Sequence, residues 1–182
     1  MLDLVFVVKD PKSWHRDNIQ RHSTHYSFLK LLIKYGVISV QDFHKDLTDW
    51  EWLYLSGRLH KPVLILDTTT NADKKTILNQ AMEYNLKSAV LCSLLLLNKN
   101  KITEEELYLQ ITGLSFMGDF RMIVGEDKNK IENIVVPNLI RFRQLYSHTM
   151  SLAITSIVTS SSIKQSIKGI VTAGKLQSNV SL

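Results

Sequence analysis

Short apolar runs near the amino terminus are typical of buried strands. They span residues 2–8, 33–40 and 62–66, and the first run ends at Asp10 and Pro11, a turn signal. Gly36 lies within the second run and predicts a weak point or bulge there. The mixed residues 12–32 are predicted to include a helix. The opening part of the chain is therefore expected to form strands joined by helical segments.

Apolar residues recur at helical spacing over most of the remaining chain. Residues 41–55 are predicted to be a helix that Gly57 caps, and residues 75–97 a long helix. On the first helix the face expected to be buried consists of Phe43, Leu47, Trp50 and Tyr54. On the second it consists of Ile77, Ala81, Tyr84, Ser88 and Leu91. Both helices are expected to turn these faces toward a core.

The carboxyl-terminal half carries clearer helix signals. Thr103 and Glu106 have the spacing of a capping box, which predicts a helix with Leu107, Ile111 and Leu114 in the core. Residues 131–146 are predicted to be helical, with a kink or break at Pro137. Because strands come first and helices follow, the fold class is predicted to be α+β.

Three parts are predicted along the chain: a sheet-containing part over residues 1–66, a helical part over 67–150, and a tail over 151–182. In the tail, Ile163, Ile167 and Ile170 share one side, and Lys164 and Lys168 lie one turn apart. This pattern predicts a basic amphipathic helix.

Composition narrows the class of protein. The chain has 182 residues, 45% of them hydrophobic and 21% charged, which argues against global disorder. A single cysteine, Cys92, excludes an intramolecular disulfide framework. The net charge is +5, and residues 147–182 contain three lysines and no acidic residue. The tail is thus expected to contact anionic lipid or another polyanion, or else to be simply solvated.

Asp3 lies in an otherwise apolar strand, where a carboxylate requires a partner, a metal ion or a cleft. Metal-dependent nucleotidyltransferases use such a strand carboxylate to hold Mg²⁺ against a triphosphate. The alternative is a solvated residue at the start of the chain.

Two further segments could bind phosphate. Lys34, Arg58 and Lys61 place positive charge near a predicted loop, although they could equally be solvated there. Residues 113–121 combine glycines with Asp119 and Arg121, which could bind phosphate or pair with each other. The lysine of a phosphate-binding P-loop is missing from this segment. His22 and His25, even with His15, lack the further ligands of a zinc site.

Taken together, these segments resemble the mitochondrial phosphatidate cytidylyltransferases, also called the mitochondrial translocator assembly and maintenance proteins. The resemblance extends from residue 1 to about residue 174. Its matching stretches, in order, are residues 1–6, 10–18, 25–30, 34–39, 53–63, 85–89, 113–121, 125–126, 161–165 and 168–174.

The resemblance implies an enzyme that converts CTP and phosphatidic acid to CDP-diacylglycerol and pyrophosphate with Mg²⁺, for cardiolipin synthesis. It implies a nucleotidyltransferase domain, here incomplete at its amino terminus, then a helical, winged-helix-like domain and a membrane-contacting tail helix. The location would be the matrix side of the inner mitochondrial membrane, as a peripheral protein on an anionic lipid surface.

The resemblance also implies roles for individual residues. Asp3 would be catalytic and bind the metal ion. CTP or phosphate would be bound by Lys34, Arg58, Lys61, Asp119 and Arg121. The membrane would be contacted by Ile163, Lys164, Ile167 and Lys168.

The sequence departs from the family pattern in several places, including a gap at about residues 147–151 and the last residues, 175–182. A Gly-Ser-Gly element that precedes the Asp3 strand in the family is absent, and so is a family segment between Lys30 and Leu31. We therefore interpret the chain as a shortened form of the enzyme. The alternative is an inactive isoform that acts at most as a membrane-associated interaction protein. An RNA-directed nucleotidyltransferase is disfavoured, since basic residues are not interleaved with exposed aromatics, and no nucleic-acid partner is expected. The oligomeric state is not predicted.

Overall fold

The computed structural model describes residues 4–26, 36–66, 72–99, 101–117 and 129–156. It divides into two compact units, Met1–Trp52 and Leu53–Leu182. Each unit is considered by itself below.

The first unit contains two parallel strands, β1 (Val5–Val8) and β2 (Gly36–Ser39). Val5 pairs with Gly36, and Val8 pairs with Ser39. Parallel strands require a long crossover, and helix α1 (Pro11–Arg21) lies within it. Asp10 caps α1 by accepting a hydrogen bond from the Lys12 amide at 3.0 Å, and Pro11 occupies the first helical position. The predicted turn after the first strand is therefore also a helix start.

Helix α2 (Val40–Asp49) follows β2 directly. Ser39 caps it, because its hydroxyl accepts a hydrogen bond from the Asp42 amide at 3.0 Å. Phe43 and Leu47 are buried, as predicted. The helix ends earlier than predicted, since Trp50 adopts the left-handed conformation with φ of 55° and so leaves the helix. The expected extension of the helix to residue 55 is wrong.

The second unit is helical. Its helices are α3 (Leu55–Leu59), α4 (Ala72–Leu97), α5 (Glu104–Leu114), α6 (Lys130–Val135) and α7 (Leu139–Ser156). The predicted capping box is confirmed, because Thr103 and Glu106 satisfy each other's backbone amides at 2.8 and 3.1 Å. The predicted break at Pro137 is confirmed as well, since a 3₁₀ turn, Val136–Asn138, separates α6 from α7.

Helices α4, α5 and α7 enclose the core of the second unit. Leu107, Ile111 and Leu114 are buried, as the sequence pattern predicts. On α4 the prediction is partly wrong, because Ile77 and Tyr84 are exposed. The buried positions of α4 are Ala81, Asn85, Ala89, Val90, Ser93 and Leu94. Apolar residues occur on every side of this helix, so spacing alone does not identify its core face.

Two local predictions around α3 are also wrong. Gly57 does not cap a helix; it lies inside α3 and is buried. Residues 62–66 do not form a strand, since within the described part of the chain no neighbouring strand pairs with them. An apolar, β-branched run has strand propensity but requires a paired backbone to become a strand.

The fold class is α+β, as predicted: a mostly helical chain with a two-stranded parallel sheet. The nucleotidyltransferase and winged-helix assignments stay predictions, as does the division into three parts. Within the residues described, no helix has the length and apolar character needed to cross a membrane.

Candidate functional site

Helix α3 carries the Ser56-Gly57-Arg58 segment and is anchored by a buried polar network. Asn85 on α4 donates a hydrogen bond from Nδ2 to the Ser56 carbonyl at 3.1 Å. Its Oδ1 lies 3.0 Å from Nε2 of His60. A carbonyl can only accept, so the amide nitrogen faces Ser56 and the amide oxygen faces the histidine. His60 must then carry its proton on Nε2. All three residues are buried.

A hydrogen bond from Tyr146 on α7 connects the segment around Arg58 to a second helix. Its hydroxyl donates to the His60 carbonyl at 2.9 Å, and its ring is completely buried. Burial raises the pKa of this phenol well above its usual value, so the hydroxyl stays a donor. Two helices thus hold the backbone on both sides of Arg58 and directly before Lys61. Buried and hydrogen-bonded networks of this kind favour a single geometry.

Gly57 allows α3 to approach the carboxyl-terminal end of α5 closely. A Cβ atom placed at Gly57 would lie 2.5 Å from Cβ of Ser115 and 3.4 Å from its Cα. Only glycine fits here, because the neighbouring atoms belong to or adjoin the backbone of Ser115. The contact brings Lys61 and Ser115 together.

Lys61 forms the centre of the candidate site. Its Nζ donates to the Ser115 hydroxyl at 2.9 Å, and that hydroxyl donates in turn to the Thr112 carbonyl at 3.0 Å. The Lys61 Nζ also lies 4.9 Å from the centre of the Phe116 ring. The Nζ of Lys130, at the start of α6, lies 4.9 Å from the same ring centre. Two ammonium groups therefore share one aromatic ring, in cation–π geometry.

Arg58 adds a third positive charge near Lys61. Its guanidinium lies 5.0 Å from the centre of the Tyr54 ring, and Nη2 donates to the Tyr54 hydroxyl at 3.4 Å. Burial lowers the pKa of Lys61 to about 8, and repulsion by Arg58 and Lys130 acts in the same direction. In the described part of the chain no carboxylate forms an ion pair with Lys61. We name Arg58, Lys61 and Lys130 the cation cluster.

The cation cluster is suited to bind a polyvalent anion. Repulsion by Arg58 and Lys130 disfavours the charged form of Lys61, and a phosphate group beside Lys61 would favour it. Arg58 offers a planar fork of donors, whereas the two lysines act as point charges. The Ser115 hydroxyl holds the Lys61 ammonium in place before any ligand binds.

The structure brings together two of the predicted phosphate-binding residues, Arg58 and Lys61. The other predicted site residues lie outside the described part of the chain: Asp3, Lys34, Asp119, Arg121, Ile163, Lys164, Ile167 and Lys168. Lys130 was not predicted, because it lies about 70 residues from Lys61 in the sequence, on a separate element. A possible signal is its position at a helix start soon after the 113–121 segment.

Among the residues that the structure describes, no three His, Cys, Asp or Glu side chains lie close enough together to hold a metal ion. His22 stacks on His25 with ring centres 5.0 Å apart, and Nδ1 of His15 lies 3.0 Å from the Tyr26 hydroxyl. The Mg²⁺ site stays a prediction that depends on Asp3.

Comparison with known proteins gives one family. The family model described as mitochondrial phosphatidate cytidylyltransferase matches residues 1–32 and 30–155. The two matches meet at residues 30–32, which is where the resemblance noted from the sequence is interrupted.

Curated relatives carry the same name. A mitochondrial phosphatidate cytidylyltransferase of Danio rerio is 45% identical over 178 residues, covering 82% of this chain and 51% of the relative. Its Xenopus laevis counterpart is 46% identical over 175 residues, covering 81% of this chain and 50% of the relative. The Homo sapiens counterpart is 42% identical over 174 residues, covering 80% of this chain and 37% of the relative. The chain spans about half the length of the first two relatives and a smaller share of the Homo sapiens protein.

Proposed function

Because this chain belongs to the mitochondrial phosphatidate cytidylyltransferase family, we propose that it transfers a cytidylyl group from CTP to phosphatidic acid. The products are CDP-diacylglycerol and pyrophosphate. A phosphate oxygen of phosphatidic acid attacks the α-phosphorus of CTP, and the bond from that phosphorus to the β-phosphate oxygen breaks. Pyrophosphate leaves with the bonding electrons. The reaction is a nucleotidyl transfer between two polyanions.

Such a reaction depends mainly on positioning and on charge stabilisation. The attacking phosphate and the triphosphate repel each other, and the leaving pyrophosphate gains negative charge. Groups that are fixed before the substrates bind stabilise this charge most effectively. The protein therefore requires positive side chains that a rigid network holds in place.

The observation that carries the proposal is the convergence of the cation cluster. Lys61 and Lys130 lie over the same Phe116 ring at 4.9 Å, and Arg58 lies near enough to lower the pKa of Lys61. The buried Asn85 and Tyr146 hold the segment that carries Arg58 and Lys61. We assign the cation cluster to phosphate oxygens of CTP or phosphatidic acid.

The remaining predicted roles belong to the same proposal. Asp3 would hold Mg²⁺ and be the catalytic carboxylate, and Mg²⁺ would neutralise charge on the triphosphate. Lys34, Asp119 and Arg121 would join the phosphate contacts. The tail would contact an anionic surface through Ile163, Lys164, Ile167 and Lys168. The proposed location is the matrix side of the inner mitochondrial membrane, where the product serves cardiolipin synthesis.

The proposal is tested by incubating the purified chain with CTP, Mg²⁺ and liposomes containing phosphatidic acid. Formation of CDP-diacylglycerol is followed with radiolabelled CTP and lipid extraction. We expect the product to require CTP, Mg²⁺ and phosphatidic acid together. Omission of phosphatidic acid, or its replacement by RNA, serves as the control for the disfavoured RNA-directed alternative.

The inactive-isoform alternative is not better supported by the comparisons, and the assay separates the two. Liposome binding without any CDP-diacylglycerol would favour the membrane-associated interaction protein. If the label from CTP appeared in RNA and not in lipid, the assignment of phosphatidic acid as the acceptor substrate would be contradicted. Circular dichroism of the same preparation establishes that an inactive sample is folded.

A further inference from the structure

An open groove lies in the second unit beside the cation cluster. Leu59, residues 61–65, helix α4 and helix α7 line it, and its volume is about 740 Å³. Grooves of roughly 300–1,000 Å³ are typical of small-molecule sites. The walls are mainly apolar, and the side chains that matter here are Leu64, Ile65, Met82, Leu86 and Leu145.

The apolar lining on one side of the groove is exposed to solvent. Leu64 is 85% exposed and Ile65 is 56% exposed. These residues lie in the run that was wrongly predicted to be a strand, so no sheet buries them among the residues described. Exposed apolar side chains that are contiguous and lie beside charged groups indicate a binding surface.

The charged groups of the groove are mostly basic. Lys61 and Arg141 line it, against one carboxylate, Glu83. Glu83 already contacts a neighbouring side chain, since its Oε1 lies 3.4 Å from Nδ1 of His148. The groove thus combines apolar walls with positive charge, which is complementary to an anionic amphiphile. A nucleotide triphosphate would leave the apolar walls unfilled.

Lys61 belongs to both the groove and the cation cluster. It lines the groove, while its Nζ contacts Ser115 and lies over Phe116. A molecule with one phosphate and an attached hydrocarbon chain could therefore contact Lys61 and the apolar wall together. Phosphatidic acid has this chemistry.

We propose that the groove is the acyl-chain subsite for phosphatidic acid, with the phosphate at Lys61 and one hydrocarbon chain along Leu64, Ile65 and Leu145. The assignment rests on the proposed function for the identity of the lipid. It separates the lipid chain from the nucleotide in space: the apolar groove takes the lipid chain, and CTP lies outside the groove. Chain length then contributes to affinity at this site.

The proposal is tested by calorimetric titration of the purified chain with soluble dibutyryl and dihexanoyl phosphatidic acid, without CTP. The longer lipid adds two methylenes to each chain, and burying those of one chain should tighten binding about tenfold. Lys61→Gln should weaken the binding of both lipids. The double variant Leu64→Ser/Ile65→Ser should still bind, but should lose the difference between the two lipids.

The matched control is Leu95→Ser/Leu96→Ser on α4, outside the groove. Leu95 and Leu96 are 70% and 49% exposed, comparable to Leu64 and Ile65. This control should retain the chain-length effect. An equal effect in both double variants, or tight binding of dihexanoylglycerol without its phosphate, would overturn the proposal. The titration omits CTP and therefore tests only lipid binding. If it contradicts the groove proposal, cytidylyl transfer is still tested separately by the formation of CDP-diacylglycerol.

Discussion

The Lys61 ammonium donates a 2.9 Å hydrogen bond to the Ser115 hydroxyl across 54 positions of the sequence. This contact joins the segment after α3 to the end of α5, and it fixes the charge at the centre of the cation cluster. It is possible because Gly57, four residues earlier, has no side chain to keep the two elements apart. The candidate site therefore depends on close packing as much as on charge.

Gly57→Ala should destabilise the protein. The added Cβ would lie 2.5 Å from Cβ of Ser115, so the two elements must separate. Overpacking of this kind costs about 1–3 kcal/mol, against a gain of up to about 1 kcal/mol from helix propensity. The free energy of unfolding, measured with urea, is expected to fall by up to about 2 kcal/mol.

The matched control for this variant is Gly113→Ala. Gly113 also lies in a helix, but a Cβ there meets only the flexible end of Ile131 at 3.8 Å. Its stability should be unchanged, or raised by up to about 1 kcal/mol. Equal stability of the two variants would show that Gly57 and Ser115 do not pack as described.

Stability should rise with pH above 8 because of Lys61. The pKa of this ammonium group is about 8 in the folded protein, against the ordinary lysine value of 10.5 in the unfolded chain. Between these values the unfolded chain binds more protons, so the free energy of unfolding increases with pH. From pH 8 to 9.5 the gain is about 1.5 kcal/mol. Urea unfolding of Lys61→Met measured over the same range should lack this gain.

The same titration weakens anion binding. As Lys61 loses its proton, the affinity for CTP should fall between pH 7.5 and 9.5, while the affinity of Lys61→Met stays flat. A stability profile of Lys61→Met that matches the unmodified chain would mean that Lys61 titrates near its ordinary value.

Asn85→Ala should cost about 2–3 kcal/mol of stability. The change removes the partner of the Ser56 carbonyl and of Nε2 on His60, and both groups are buried. Because these residues lie on both sides of Arg58, and His60 directly precedes Lys61, CTP binding should weaken as well. Gln80→Ala, at an exposed position of the same helix, should change neither property. Thermal unfolding and calorimetric titration of both variants test this, and wild-type behaviour of Asn85→Ala would refute the anchoring network.

Glu104→Gln should destabilise the helical core by about 1–3 kcal/mol. Arg143 makes two hydrogen bonds to Glu104, at 2.7 and 2.9 Å, and the Tyr108 hydroxyl donates to the same carboxylate at 2.9 Å. The neighbouring Glu105 is exposed, so Glu105→Gln is the control and should have little effect. Urea denaturation of both variants decides the point; similar losses would mean that general surface charge, rather than this pair, is responsible.

Local signals in the sequence predicted part of this structure well. The capping box at Thr103 and Glu106 involves groups three residues apart, so its geometry follows from the sequence itself. The break at Pro137 is local in the same sense. By contrast, the end of α2 depends on the backbone of Trp50, and the conformation of residues 62–66 depends on whether another strand pairs with them. Such features are determined by tertiary surroundings.

The candidate site was predictable only in part. Arg58 and Lys61 were identified because two cations lie close together in a loop-like segment. Lys130 was missed, since its relevance depends on Phe116, a ring that it shares with Lys61. Asn85 and His60 were not recognised as an anchor, because they are 25 residues apart in the sequence. Contacts between distant elements leave no local pattern.

The most direct test of the central claim is the initial rate of CDP-diacylglycerol formation by the unmodified chain, Lys61→Gln and Lys101→Gln. Lys101 is an exposed lysine outside the cation cluster, so its variant controls for net charge. We predict that Lys61→Gln lowers kcat/KM by about 10-fold to 100-fold and that Lys101→Gln does not. Equal rates for all three proteins would contradict the assignment of the cation cluster to the phosphates, and no product from the folded, unmodified chain would contradict cytidylyl transfer itself.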